Sequence, residues 1–129
     1  MYGSQAYAVV GLQSSVMSAS PHKLITLLFD GALSALAKAD IFLVQGNIAA
    51  KGNAISKAID IINNGLKMGL DMEQGGELSR NLADLYDYFC RQLMLVNLHN
   101  DRALLKQIQE LLSEIADAWK SISPDAVHP

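Results

Sequence analysis

The residues that could carry reaction chemistry are few, and their spacing argues against it. The histidines are His22, His99 and His128. A di-iron bundle needs Glu-x-x-His pairs on facing helices, and the sequence has none. Zinc needs cysteines and histidines at short fixed intervals, which the single Cys90 cannot supply. Gly75-Gly76 lacks the Lys-Ser/Thr that must follow a phosphate-cradling loop. Bundles that relay phosphate use a histidine in mid-helix, whereas His99 falls at a helix end. Cys90 stands at the edge of an apolar stripe, with no His or Lys at helical spacing to lower its pKa, so it reads as a packed side chain. The acidic residues fall mostly on solvent faces. No catalytic residue, metal site or cofactor is predicted, which points to a protein that binds rather than reacts.

The elements that would position a binding surface are helices. Pro21 suits a first helical position and Ser20 can cap it, opening a run that continues to Val44. Gln45-Gly46-Asn47 supplies a terminating glycine and a fresh cap. A second helix is expected from about Ile48 to Leu70, and Asp71 to Gly76 forms a polar joint. The third runs from about Glu77 to His99. Asn100-Asp101 turns the chain into a fourth, Arg102 to Ile122, which stops before Pro124. No strand alternation or hairpin signal appears. Joints of a few residues force neighbours to run antiparallel. The expectation is an all-α, antiparallel up-down four-helix bundle over residues 21–124, with a short N-terminal arm or helix at 1–20 and a flexible tail at 125–129.

Apolar residues exceed what such a bundle must bury. The fourth helix is single-faced, with Leu104, Leu105, Ile108, Leu111, Leu112, Ile115, Trp119 and Ile122 on one arc. In the second, Ile55, Ala58, Ile59, Ile62, Leu66 and Leu70 form the core stripe, and Ala54, Ile61 and Met68 a thinner second line. The first helix confines its polar residues (Lys23, Thr26, Asp30, Ser34, Lys38) to a stripe about 120° wide. One apolar flank holds Leu24, Leu28, Gly31, Ala35, Ala39 and Phe42; the other holds Ile25, Phe29, Ala32, Leu33, Leu36 and Leu43. In the third helix Leu78, Leu82, Leu85, Phe89, Leu93 and Val96 make the core stripe, with Tyr88, Met94, Leu95 and Leu98 off it. The excess predicts a groove that receives a partner helix. The pattern does not choose between the two flanks of the first helix. The residues taken for the groove are Ile25, Phe29, Leu33, Leu36, Ile61, Met68, Tyr88 and Leu95. The alternative is a self-associating structural or adaptor bundle whose spare flank is a homodimer seam.

Composition limits the partner and the compartment. Of 129 residues 50% are hydrophobic, enough for one core without staples. The formal net charge is −3. Without a cluster of Lys and Arg, a nucleic-acid partner is not expected. A lone cysteine fits a reducing compartment. The N-terminus lacks a basic stretch, and Gln13, Ser14 and Ser15 interrupt any apolar core, so a signal peptide is not expected. No run reaches the ~18–20 apolar residues of a membrane span. The expected location is the cytoplasm.

Several ordered elements carry a resemblance. They are Gln5-Ala6-Tyr7-Ala8, Met17-Ser18-Ala19-Ser20-Pro21-His22-Lys23-Leu24-Ile25 and Leu28-Phe29-Asp30-Gly31-Ala32, then Ser56-Lys57-Ala58-Ile59 and Asn64-Gly65-Leu66. Gly69-Leu70-Asp71, Gly75-Gly76-Glu77, Asn81-Leu82, Leu85-Tyr86-Asp87-Tyr88 and Ala118-Trp119-Lys120 follow. Each is weak alone, but in this order they span residues 5–124, and the chain resembles the flagellar secretion chaperone FliS family. The resemblance implies a cytoplasmic chaperone that binds the C-terminal helical segment of flagellin, prevents premature polymerisation and delivers it to the export gate of the flagellar type III apparatus. It also implies that the N-terminal arm covers the binding surface until flagellin displaces it. That role would fall on Tyr7, Val10, Leu12, Val16 and Met17. Some family members also bind an anti-sigma factor. Set against close relatives, the arm before Gln5 is expected to be slightly shorter; the tail after Pro124 is brief, and neither touches the core motifs.

Overall fold

A computed structural model describes residues 20–122. Its helices are α1 (Pro21–Gln45), α2 (Ile48–Asp60), α3 (Gly76–His99) and α4 (Arg102–Ser121), with Ile61–Lys67 continuing α2 as π-helical turns. Among the described residues there is no strand. Each helix packs on its sequence neighbours and α4 closes back on α1, so the architecture is the expected all-α four-helix bundle. The proposed arm lies outside the described residues except for Ser20, and the tail lies outside them altogether.

The helix boundaries follow from local chemistry. The Ser20 hydroxyl accepts a hydrogen bond from the Lys23 N–H at 3.1 Å, with Pro21 in the first turn. Gly46, at φ 74°, ends α1, and Asn47 N–H donates back to the Phe42 carbonyl. Asn47 then caps α2 through the Ala50 N–H. At the other short joint Asn100 takes φ 53° and Asp101 caps α4 through the Leu104 N–H at 3.0 Å.

The second helix departs from its expected form. An unbroken α-helix to Leu70 is predicted, but the backbone widens at Ile61. The Ile61-Ile62-Asn63-Asn64-Gly65 run is poor in helix formers, so little local preference holds the tighter winding. Tertiary packing decides instead: Ile62 and Leu66 both reach the core, and α1 presses close enough that a Cβ on Gly65 would stand 2.9 Å from a Leu28 methyl. After it, the Asp71 carboxylate accepts from the Glu73 and Gln74 N–H groups and shapes the joint. Gly75 has no room for a Cβ, which would meet the Asp71 carbonyl at 2.6 Å, and Gly76 has φ +53°. The Gly-Gly pair is thus a requirement of the turn.

Phe29, Leu36, Ile55, Ile62, Phe89, Leu93, Leu105, Ile108 and Leu112 fill the core, with Ala32, Ala39, Ala58 and Ala116 letting the helices approach. Each large buried side chain contributes about 1.5–3 kcal/mol. Several residues depart from the predicted stripes, Leu111 and Ile122 of the fourth helix's arc among them, both exposed. Leu78, in the first turn of α3, is 67% exposed. Tyr86 is buried in the core in its place. Ala54, taken for the outer line of α2, is buried as well. Lys51 is buried too, its ammonium donating to the Asn97 carbonyl at 2.9 Å and the Asn100 side-chain oxygen at 2.6 Å. It fixes the end of α3 from α2.

Candidate functional site

Among the described residues, α1 borders two apolar hollows. The larger opens at the end of the bundle where α1 and α3 begin and α4 ends, and encloses about 740 Å³. Leu24, Ile25 and Phe29 of α1 line it, with Leu66 and Leu70, then Leu78, Leu82 and Tyr86 of α3, and Ile115, Trp119 and Ile122 of α4. The Asp71–Gly75 joint contributes Asp71, Gln74 and Gly75 to its lining. Asp71, Gln74 and the buried Ser79 are its polar lining residues. Tyr86 stays neutral at any physiological pH, since burial pushes its phenol up to about 12.

One wall of this cavity is held by a reciprocal clasp. The Trp119 indole N–H donates to the His22 carbonyl at 3.1 Å. The His22 Nε2 lies 3.0 Å from the Trp119 carbonyl, which can only accept, so this nitrogen carries a proton. The two rings stack with centroids 5.0 Å apart and planes 16° from parallel. The first turn of α1 is thereby joined to the last turn of α4.

The smaller hollow is a groove of about 250 Å³ between α1 and α2. Leu24, Leu27, Leu28, Gly31, Ser34, Ala35 and Lys38 form one side, and Ala54, Lys57 and Ile61 the other.

The eight residues predicted for one groove do not meet. Ile25 and Phe29 line the end cavity, and Ile61 lines the α1–α2 groove. Leu36 is wholly buried in the core, and Leu33 and Tyr88 pack half-buried against it. Met68 is 73% exposed and Leu95 42%, each on the outer surface. The reason is geometric: the Phe29–Leu36 flank of α1 is consumed by the core, and the opposite flank is the one that borders an open groove. Tyr7, Val10, Leu12, Val16 and Met17 lie outside the described residues. Sequence reasoning also placed Leu70, Leu82, Ile115 and Trp119 simply in the core. The signal for their open end was the contrast between one long polar joint and two joints of two residues.

Other chemistry is confined to packing. Burial, reinforced by the Asp87 charge, pushes the Cys90 thiol up, the opposite of what a nucleophile needs. Among the described residues no group of three or more His, Cys, Asp or Glu could hold a metal ion. No described helix is long and apolar enough to cross a membrane.

A family profile described as Flagellar protein FliS matches residues 3–126. The flagellar secretion chaperone FliS of Salmonella typhimurium is 59% identical over 124 residues, covering 96% of this chain and 92% of that protein. Its counterpart in Escherichia coli K12 is 48% identical over 127 residues, with 97% and 93% covered. That of Vibrio cholerae is 40% identical over 126 residues, with 97% and 92% covered. These relatives are named as chaperones, a non-enzymatic class, and the chain is not an enzyme. With the bundle and nearly its whole length matched, the chain belongs to the FliS family of flagellar secretion chaperones.

Proposed function

We propose that this chain is a cytoplasmic export chaperone that binds the C-terminal helical segment of flagellin, prevents its premature polymerisation and delivers it to the flagellar type III export apparatus. The observation that carries the reading is the open end cavity of about 740 Å³, walled by leucines, isoleucines and aromatic rings in a protein whose relatives are secretion chaperones. An amphipathic segment that is unstable alone loses about 2–5 kcal/mol in ordering when it folds on a partner. Two or three leucine-sized anchors, at about 1.5–3 kcal/mol each, exceed that cost. The cavity has this capacity, and exposed Asp71 and Gln74 in its lining offer polar partners to the segment's backbone.

The N-terminal arm is proposed as the cavity's occupant before flagellin arrives. Pro21, where the arm joins α1, itself lines the cavity, so Tyr7, Val10, Leu12, Val16 and Met17 are within reach of it. An internal competitor lowers apparent affinity and shields apolar surface until the client displaces it.

Calorimetry with a synthetic peptide of the flagellin C-terminus tests the main reading. Saturable heat is expected, and no binding at tens of micromolar peptide overturns it. Removing residues 1–18 should raise affinity for that peptide or expose surface to a hydrophobic dye. An unchanged response in both assays would reject the arm's role.

A further inference from the structure

The end cavity leaves the α1–α2 groove unexplained. On α1 its lining residues recur as Leu24, Leu27, Leu28, Gly31, Ser34, Ala35 and Lys38, the three- and four-residue steps of a helix-packing face. No other helix of the bundle covers that face. Its floor is sunk where α2 packs on Gly31, whose missing Cβ would lie 3.4 Å from the Ile61 terminal methyl. From Leu24 to Lys38 the face runs about 21 Å, room for about four turns of a partner helix. The two hollows adjoin at Leu24, and every other lining residue of the groove is its own.

Charge identifies the occupant. Lys38 and Lys57 stand exposed on opposite walls of an otherwise apolar groove, and neither forms an ion pair among the described residues. By contrast, Lys67, Lys106 and Lys120 each pair with an aspartate, and Lys51 is hydrogen-bonded inside the bundle. Two uncommitted cations facing one another across an apolar floor, in a chain of net charge −3, complement carboxylates carried by an apolar helix. We infer that the α1–α2 groove docks an amphipathic helix of a second protein partner, its apolar seam on Leu27 and Leu28 over the floor formed by Ala35 and its acidic residues between Lys38 and Lys57. This partner binds alongside the flagellin segment, so the inference does not depend on the reading of the end cavity.

The test uses the full chain, isotope-labelled for amide NMR, and an 18-residue synthetic helix with leucines at i, i+3, i+4 and i+7 flanked by glutamates; the same peptide with glutamines is the control. The glutamate peptide should shift amides of residues 24–38 and 54–61, and bind about fivefold or more tightly than the glutamine peptide, the scale of two exposed ion pairs. Lys38→Glu with Lys57→Glu should remove that preference while leaving Tm and flagellin-peptide binding unchanged. Ser34→Arg, at an exposed position lining the groove, should block both peptides. Saturation with flagellin C-terminal peptide should leave the glutamate peptide bound. Equal affinity for the two peptides, or shifts confined to the end cavity, overturns the inference. So do competition by flagellin peptide, groove shifts on removing residues 1–19, or groove shifts that grow with the chain's own concentration, which assign the groove to the client, the arm or a second copy. Failure of the flagellin peptide to bind anywhere would strike the preceding reading and leave this one standing.

Discussion

The two ends of the bundle are built from the same four helices and have opposite characters. At one end, α1 joins α2 through Gly46-Asn47 and α3 joins α4 through Asn100-Asp101. Left-handed residues, side-chain caps and the buried Lys51 ammonium satisfy the backbone there, and Val96 and Leu105 close the core beneath them. At the other end, the π-helical turns and the Asp71–Gly75 joint border a cavity, with Leu78 exposed in its lining. Placing the tight polar ties at one end lets the bundle stay folded while the opposite end keeps apolar surface free for a partner. Stability and binding are therefore separable by position.

The largest test of that separation is Lys51→Met. Methionine keeps most of the volume but loses both hydrogen bonds from the ammonium, leaving the Asn97 carbonyl and Asn100 side chain short of a donor. Losses of a charged hydrogen bond run to about 1.5–3 kcal/mol. Urea denaturation should show a fall of about that size, while affinity for the flagellin peptide stays within about twofold of wild type, inside the few-tenths coupling expected of distant sites. An equal loss of binding would mean that the two ends are coupled.

Leu78→Asp is the converse. Leu78 is 67% exposed, so stability should change by no more than about 0.5 kcal/mol. Its apolar contact with a seated helix would be lost, and burial of a leucine is worth about 1.5–3 kcal/mol. Calorimetry should therefore show flagellin-peptide affinity reduced about tenfold or more. Intact binding would move the client away from this end.

Trp119→Phe lies between the two. Phenylalanine keeps a ring against His22 but cannot donate to its carbonyl, a change of about 1 kcal/mol in stability. Because Trp119 also lines the cavity, a weakening of flagellin-peptide binding should accompany it. If stability falls and binding does not, the clasp holds the helices together without shaping the site.

These residues also mark what the sequence could and could not disclose. Helix order, the caps at Ser20, Asn47 and Asp101, and the single-faced α4 rest on local rules that tertiary packing left in place. The π-helical turns were hidden because over one or two turns Ile62 and Leu66 satisfy either winding. Lys51 was hidden because its function depends on a carbonyl 46 residues away. The groove residues were scattered for a third reason. Counting apolar positions gives the amount of spare surface on α1, but which flank faces α2, α4 or solvent depends on the helix's rotation. Only the packed bundle determines that, burying Phe29 and Leu36 and leaving Leu24, Leu27 and Leu28 beside the open groove.

The smallest effect probes whether the closed end owes its stability to charge or to buried polar ties. Asp40 receives the Arg102 guanidinium at 2.8 Å and lies 3.0 Å from the Lys106 ammonium, joining α1 to the first turns of α4. The hydrogen bond from Arg102, followed by that from Lys106, holds its carboxyl below the usual carboxylate range against the opposing effect of burial. A depressed folded pKa means that the interaction stabilises the bundle above the unfolded value, about 3.9, and is lost as pH falls through the lower folded value. Asp40→Asn should thus lower Tm by at most about 4 °C near neutral pH, because exposed ion pairs are weak. The gap should persist down to about pH 5 and close as the carboxyl protonates below about pH 4. Added salt should shrink it in the same way, since screening acts on exposed charges. Thermal melts across pH and salt would show both trends. A gap larger than that of Lys51→Met would place the strength of the closed end in surface charge, and its absence at every pH would leave buried Lys51 and the helix caps as the ties that hold it.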